Sequence, residues 1–455
     1  DYDLNAPREI YTEKLKSQLS AADEENPPEE GKEHSQAYWD LMGDLQNLQW
    51  RNKAVNDGYE PGSTFKTLTL AMALEEGVTG RNSSYYCGGS VTIENENIKC
   101  SNKNGHGSQT LKEAVGHSCN PAFIRMGLDV GRSRFYDYLE DFGLLTPTGV
   151  DLQGEGASVF ASRKQFESHD IDLACYSFGQ NFIVTPIQLI AAQSACINGG
   201  YLYQPYVVAK ELDENGNVVR QHDSTPIRQV VSEETSAMVR ECLEYVVSDG
   251  GGKNGQVTGY RIGGKTGTAD KRGTKTAANP RGDVVVSFLA FAPADDPQII
   301  MLLAMDTPAR QEVTGVYTSG GNYVAPTASK ILSDILPYLG IPAQYDEETL
   351  SAAEGTVPYV VGMSKDEAAA KLESYGFSAY RTVGDGETVT DQTPVGGAIV
   401  PTGAEVILYM GAEKSDQLCT VPNLVGLSAD EANRALVNAG LILKATGASG
   451  SGVKV

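Results

Sequence analysis

The chain has 455 residues, too many for one hydrophobic core, so about two to four domains are expected. Its apolar content of 40% and charged content of 21% are those of an ordinary globular protein. A net charge of -23 argues against nucleic-acid phosphates as a partner and against unaided adsorption to anionic lipid, while leaving the fold open.

The chain opens at Asp1-Tyr2-Asp3 without Met and shows neither a signal peptide nor an apolar run of about 18 residues. It reads as a processed or excised fragment, so the lack of an anchor in it says little about the native protein. Residues 21–34, AADEENPPEEGKEH, are acidic and aperiodic, which predicts a loop or linker. A short helix is predicted over 35–50. Gly58-Tyr59-Glu60-Pro61-Gly62 forms a turn-rich entry to a helix over 63–76, stopped by Gly77.

Ser90-Val91-Thr92-Ile93, followed by Glu94-Asn95-Glu96-Asn97, predicts a hairpin between Cys87 and Cys100. The pair can close into a disulfide or remain two thiols, and the residues alone leave both open. The seven cysteines, which also include Cys119, Cys175, Cys196, Cys242 and Cys419, are too few for a disulfide scaffold and show no C-x-x-C. Cys175 and Cys196 read as buried thiols. Helices are predicted at 110–117, 121–129, 185–197 and 233–247, and strands at 201–210, 217–221, 260–266, 284–292 and 298–305. The last two strands flank the turn Pro293-Ala294-Asp295-Asp296-Pro297. Together they predict an α/β (α+β) domain, a sheet covered by helices, ending near residue 340.

Beyond residue 350 the chain repeats itself at an offset of 64. Val357-Pro358, Val361-Gly362, Ser364, Asp366-Glu367-Ala368, Leu372 and Gly376 recur as Val421-Pro422, Val425-Gly426, Ser428, Asp430-Glu431-Ala432, Leu436 and Gly440. Each copy predicts an extended Val-Pro segment and a Ser-capped helix with acidic residues in its first turn. The first copy continues into strands, including 404–410, whereas the second stops after its helix.

Three short motifs carry the chemistry. In Ser63-Thr64-Phe65-Lys66 the spacing puts a hydroxyl and an amine on one helical face, the geometry of a nucleophile and its base. Burial and the helix N-terminus would favour the neutral amine. Alone the pattern is weak, because Ser-x-x-Lys recurs at Ser451–Lys454 and an N-terminal helix serine is commonplace. Ser118-Cys119-Asn120 sits between two helices, where it reads equally as a cap. Lys265-Thr266-Gly267-Thr268 follows Gly263-Gly264 on a predicted strand. There Gly267 would let a peptide lie along the strand edge, and Lys265 would meet a carboxylate. Taken singly, each is better read as ordinary structure; in this order they match the motif set of β-lactamases and penicillin-binding proteins.

The sequence resembles class B (monofunctional, high-molecular-weight) penicillin-binding proteins over roughly residues 1–340. The likeness rests on WRNKAVNDGYEPGSTFK (50–66), Gly105-His106-Gly107, TLKEAVGHSCNPAF (110–123), Phe178-Gly179-Gln180, Thr185-Pro186 and Gly263 to Thr268. The repeats resemble PASTA domains. This implies a penicillin-binding-protein/serine β-lactamase-like transpeptidase domain, an antiparallel sheet covered by helices, over 1–345. It implies small α+β PASTA repeats over 355–412 and, partial, 420–455. Family members carry further strands upstream of this start, a pedestal domain and a membrane anchor.

The resemblance implies that Ser63 attacks the penultimate D-Ala carbonyl of a peptidoglycan stem peptide, with Lys66 as base. Ser118 and Lys265 move protons and orient substrate, Asn120, Thr266, Gly267 and Thr268 bind it, and the N–H groups of Ser63 and Thr268 form an oxyanion hole. It also implies acylation by β-lactams, no metal or organic cofactor, and wall-synthesis partners serving division, elongation or sporulation. The expected location is the extracytoplasmic face of the membrane of a Gram-positive-type bacterium. His106 reads as structural. Three rivals share the scaffold: a β-lactamase or β-lactam sensor, a D,D-carboxypeptidase, and a non-catalytic muropeptide-binding protein. A hydrolase needs a water-activating carboxylate, and the one Glu-x-x-x-Asn, Glu211–Asn215, reads as a solvated loop.

Overall fold

A computed structural model describes residues 6, 8–10, 13–276, 279, 282–309, 311–341, 343, 354–412 and 421–428, with 431, 432, 435, 436 and 441. The helix Lys66–Glu75 lies at the centre, and every side chain from Lys66 to Leu74 is buried. A helix apolar on all sides is a core element, and the others gather round it. The helices Asn120–Val130, Pro186–Ala195 and Glu233–Ser248 pack against it. Capping boxes start two of the elements nearby: Thr110 with Glu113, and Thr185 with Gln188.

A three-stranded antiparallel sheet covers the other side, in the order Ile299–Asp306, Val284–Ala292, Gly263–Asp270. The middle strand, VVVSFLAFA, is buried almost throughout, as an apolar run broken only by Ser287 requires. Its register sets Leu289 opposite Lys265 and Ser287 opposite Gly267. Among the described strands, Gly263–Asp270 pairs on one side only, and its free edge lies against the short 3-10 turn Gly62–Phe65.

Several expectations change in detail. The helix expected over 63–76 begins as that 3-10 turn and becomes α-helical only at Lys66. The linker expected over 21–34 is shorter, because the helix Glu13–Glu25 runs into it. The strand expected over 201–210 survives only as Tyr201–Leu202 and, beyond a gap, Lys210–Leu212. In the gap the Asp151 carboxylate accepts the Val207 and Val208 N–H groups at 2.7 and 2.8 Å, which removes the donors a ladder would use.

Residues 354–412 form a small unit around a core of their own that includes Val357, Leu372, Phe377, Val400 and Leu408. Its helix Lys365–Ser374 carries the expected serine cap, Ser364 with Glu367. The described part of the second copy repeats the device, Ser428 N–H donating to Glu431 and Glu431 N–H to Ser428 Oγ. Most of that copy, like Cys419 and Ser451–Lys454, lies outside the described residues. Arg381 joins the unit to the main domain, reaching the Ser333 carbonyl at 2.6 Å and the Asp334 carboxylate while also pairing with Glu405.

Candidate active site

The site begins with a turn that has almost no spare volume. Gly62 has φ +55, and a Cβ there would stand 2.8 Å from the Thr268 carbonyl oxygen. Gly179, φ +86, donates no side chain to the space where its Cβ would meet the Gly62 carbonyl at 1.9 Å. The Gly62 N–H in turn donates to the Gly179 carbonyl at 2.9 Å. Buried Gln193 donates to the Thr64 carbonyl at 2.9 Å. Ser63, half-buried, sits on this turn, which lies against the free strand edge.

Lys66 leaves the next turn fully buried. Its amine donates to the Ser118 carbonyl at 2.7 Å, the Ser118 hydroxyl at 3.1 Å and Asn120 Oδ1 at 2.6 Å. These use all three donors of an ammonium. The direct Ser63–Lys66 pairing expected from the spacing is not among them. The distance between motifs in sequence is overcome by the fold, and the amine is spent on the loop. Apo catalytic hydrogen bonds commonly tighten only with substrate bound. Phe123 adds its ring face, 5.2 Å from the amine.

Lys265 is equally buried and donates to the same Ser118 hydroxyl at 2.9 Å and to the Thr266 carbonyl at 3.1 Å. Two amines therefore bracket one oxygen, and because both lone pairs of that oxygen are engaged, its O–H proton points elsewhere. Ser118 holds φ +53, a left-handed conformation that costs a non-glycine residue about 1–2 kcal/mol. In return, its carbonyl and hydroxyl both face Lys66. Neither lysine forms an ion pair with a carboxylate among the described residues. Burial pushes Lys66 down to about 7, against the opposing pull of the Cys100 and Cys119 sulfurs. Burial and the neighbouring Lys66 charge push Lys265 well below the usual lysine range.

The remaining predicted residues fall around this pair. Asn120 is committed at both ends, accepting from Lys66 and donating to the Lys99 carbonyl at 3.0 Å, so its side chain is a brace. Thr266, Gly267 and Thr268 line the free strand edge, the two threonines half-buried. Gly267 has a reason beyond a clear path for a peptide. A Cβ there would meet Ser287 Oγ at 2.4 Å, Thr64 Cγ2 at 2.9 Å and the Pro61 carbonyl at 3.2 Å. Gly267→Ala is therefore expected to lower stability by about 1–3 kcal/mol through overpacking. Adding Ser287→Ala should recover part of the loss by removing the nearest atom. Thermal melting of the single and double variants checks this, and an unchanged melting point for Gly267→Ala would refute it. Sequence reasoning gave no role to Gly179, Gln193, Phe123 or the Lys99 carbonyl; Phe178-Gly179-Gln180 and the segment 110–123, which ends on Phe123, were the signals that touched two of them.

Cys87 and Cys100 flank the hairpin Ser90–Ile93/Glu96–Lys99 as foreseen, and of the two alternatives left open both thiols are free. His106 lies beside them, its Nδ1 3.6 Å from Cys100 Sγ. Glu211 behaves as expected, in an exposed hairpin paired with Arg220.

The family description "Penicillin binding protein transpeptidase domain" matches residues 12–333, more than half of the chain, and "PASTA domain" matches 355–412. Stage V sporulation protein D of Bacillus subtilis is 38% identical over 372 residues, covering 80% of this chain and 55% of its own length. Peptidoglycan D,D-transpeptidase FtsI of Escherichia coli is 27% identical over 317 residues, covering 67% and 49%. The chain thus spans about half the length of the curated relatives it matches. Among solved structures, penicillin-binding protein 3 of Mycobacterium tuberculosis, complexed with ampicillin, aligns with TM-score 0.59 and 26% identity over 67% of this chain and 68% of that one. The D,D-transpeptidase domain of a peptidoglycan glycosyltransferase from Eggerthella lenta aligns with TM-score 0.57 and 25% identity, covering 68% and 73%.

Proposed function

The chain belongs to the penicillin-binding protein transpeptidase family, and from that premise we propose that it cross-links peptidoglycan stem peptides as a serine D,D-transpeptidase that β-lactams acylate. The observation that carries the reading is the convergence of Lys66 and Lys265 on the Ser118 hydroxyl beside the turn that bears Ser63. In the proposed reaction Ser63 Oγ attacks the penultimate D-Ala carbonyl and Lys66, neutral, takes its proton. Backbone N–H groups of Ser63 and Thr268 receive the oxyanion. The Ser118 O–H, free to point away from both amines, passes a proton to the leaving D-Ala amine. A substrate carboxylate would supply the counter-ion that buried Lys265 lacks among the described residues and restore the charge that burial disfavours, while Thr266, Gly267 and Thr268 hold the peptide along the open strand edge and Asn120 braces Lys66. An amine of a neighbouring stem peptide then takes the acyl group.

A β-lactamase would need a carboxylate to activate water at the ester. Among the described residues no carboxylate hydrogen-bonds to or pairs with either amine, whose partners are the Ser118 carbonyl and hydroxyl, Asn120 Oδ1 and the Thr266 carbonyl. Water without general-base help loses about 10²–10⁴-fold in rate. Protein acylated with labelled penicillin and freed of excess is thus expected to keep its label for many minutes. Turnover of many equivalents per second would make it a hydrolase. The same chase on a chain ending at residue 345 tests the proposed division into a catalytic unit, 1–345, and PASTA repeats, 355–412 and 420–455; loss of acylation from that folded chain would place part of the site in the repeats. We place the enzyme at the outer face of a Gram-positive-type cell membrane, among wall-synthesis proteins of division, elongation or sporulation. No described helix is long and apolar enough to cross a membrane, so an anchor would be supplied outside these elements.

A further inference from the structure

Cys87, Cys100, His106 and Cys119 bring one ligand atom each to a common point, all within 4.8 Å of one another. The three cysteines are buried and the histidine half-buried. Cys100 Sγ lies 3.6 Å from His106 Nδ1. A tetrahedral zinc, at about 2.3 Å from sulfur and 2.0–2.1 Å from nitrogen, holds its ligand atoms roughly 3.3–3.8 Å apart. The cluster therefore needs to contract by no more than about 1–1.5 Å to coordinate such an ion. We propose that these four residues form a closed Cys3His site for one zinc ion, which clamps the segment 84–110 to the Ser118-Cys119-Asn120 loop.

The backbone around the cluster is built for this convergence. Gly89 and Gly105 have φ +98 and +79, and a Cβ on either would meet a carbonyl oxygen at 2.3 Å, of Lys103 and of Cys87 respectively. The Cys100 N–H donates to the Gly89 carbonyl at 2.9 Å. Two chain segments are thus threaded past each other with no room for a methyl group, and both end on a cysteine. A disulfide would engage two sulfurs and leave the third, with the imidazole, unexplained.

A second observation points to charge at this place. Gln109 is buried beside the cluster, and its Nε2 has no hydrogen-bond partner among the described residues. A metal thiolate is the acceptor such a donor lacks, since ligands of a metal are regularly held by a surrounding layer of donors. Gln109 Oε1 meets His117 Nδ1 at 2.9 Å, and the His117 ring stacks on His106 at 4.7 Å. The ligand imidazole is therefore fixed through the same side chain. The local core supports the need for a staple: beyond the three cysteines it holds only Ala114 and Ala122, with Tyr85 packed against it. A segment with so little apolar burial is the kind that metal ions stabilise.

Binding would exchange three thiol protons, released to solvent, for Zn2+, leaving the site with one negative charge. The consequence for catalysis rests on the proposed function. Cys119 lies between Ser118 and Asn120, and Asn120 donates to the Lys99 carbonyl next to Cys100. The ion would fix both ends of that brace, making the four ligands positioning residues.

The test is elemental analysis of the whole chain, purified anaerobically with no added metal. One zinc per chain is expected, and Co2+ exchanged into it should show tetrahedral d–d bands with thiolate charge-transfer absorption. Cys87→Ser and His106→Ala should each lose the metal, and Gln109→Leu should weaken zinc affinity by about 10–100-fold. A metal-free protein with free thiols that takes up no Co2+, or a disulfide between any two of these cysteines in the anaerobic protein, would overturn the proposal. The wild-type metal content decides even if a variant fails to fold. Zinc-loaded protein that forms no penicillin adduct would count against the enzymatic reading, whereas metal-free protein that does form one would count against the zinc site.

Discussion

Ser63→Ala is expected to abolish the penicillin adduct while leaving the melting temperature nearly unchanged. The turn around Ser63 is held by backbone and glycine contacts, namely Gly62 to Gly179, Gln193 to Thr64, and Gly267 against Thr64 and Pro61, none of which uses the serine hydroxyl. Removing that hydroxyl would take away the atom proposed to form the ester, and in serine acyl-transfer enzymes deletion of the nucleophile costs on the order of 10⁶ in rate. Intact-mass spectrometry after penicillin treatment reads this directly. Wild-type protein should gain one adduct, on the peptide containing Ser63, and the variant none. An adduct on another residue, with Ser63 unmodified, would remove Ser63 from the role.

The second large effect belongs to Lys66. The amine must be neutral to accept a proton, and burial brings it to about 7. The neutral fraction rises as pH rises through that value, so acylation should fall about tenfold for each unit below it and level off above it. Lys66→Arg keeps the positive charge but cannot deprotonate at working pH, so it should lose about 10²–10⁴-fold in acylation. Lys66→Met, which removes the charge at similar volume, should lose as much. If the arginine variant acylated at the wild-type rate, or if the wild-type profile were flat between pH 5 and 8, the lysine would be an electrostatic fixture and another group would take the proton. Melting curves of both variants separate a chemical loss from unfolding.

Much of this was legible from the chain because each motif is local. Ser63 and Lys66 lie one turn apart, and Lys265 to Thr268 follow one another on a strand, so spacing alone assembles those pieces. The capped helices were legible for the same reason: Ser35, Thr110, Thr185 and Ser364 sit beside the groups they cap. What was not legible depends on partners distant in sequence. Lys66 donates to residues more than fifty positions on, and no periodicity announces that its amine prefers Ser118 and Asn120 to Ser63. The strand expected over 201–210 is interrupted because Asp151 claims the Val207 and Val208 amides. The helix Arg132–Asp141 was overlooked although Phe135, Tyr138 and Leu139 follow helical spacing, since its charged residues mask the stripe. The cysteine and histidine cluster escaped because positions 87, 100, 106 and 119 follow none of the short metal-binding spacings, and only the fold gathers them.

The crowding around the serine turn also limits what selection can do with it. Gly62, Gly179 and Gly267 each face a backbone atom or a buried side chain where a methyl group would have to go. If the proposed function holds, a point mutation at any of them would disturb the nucleophile and the fold together, so a cell under antibiotic pressure could not use these positions to shed the drug and keep its wall. Lys66, Lys265 and Ser118 would be closed for the complementary reason, since the drug and the stem peptide would draw on the same three groups. Inherited resistance would then be channelled outward, away from this turn. Residues there could hinder the bulk of a drug side chain without touching the atoms that the two substrates share.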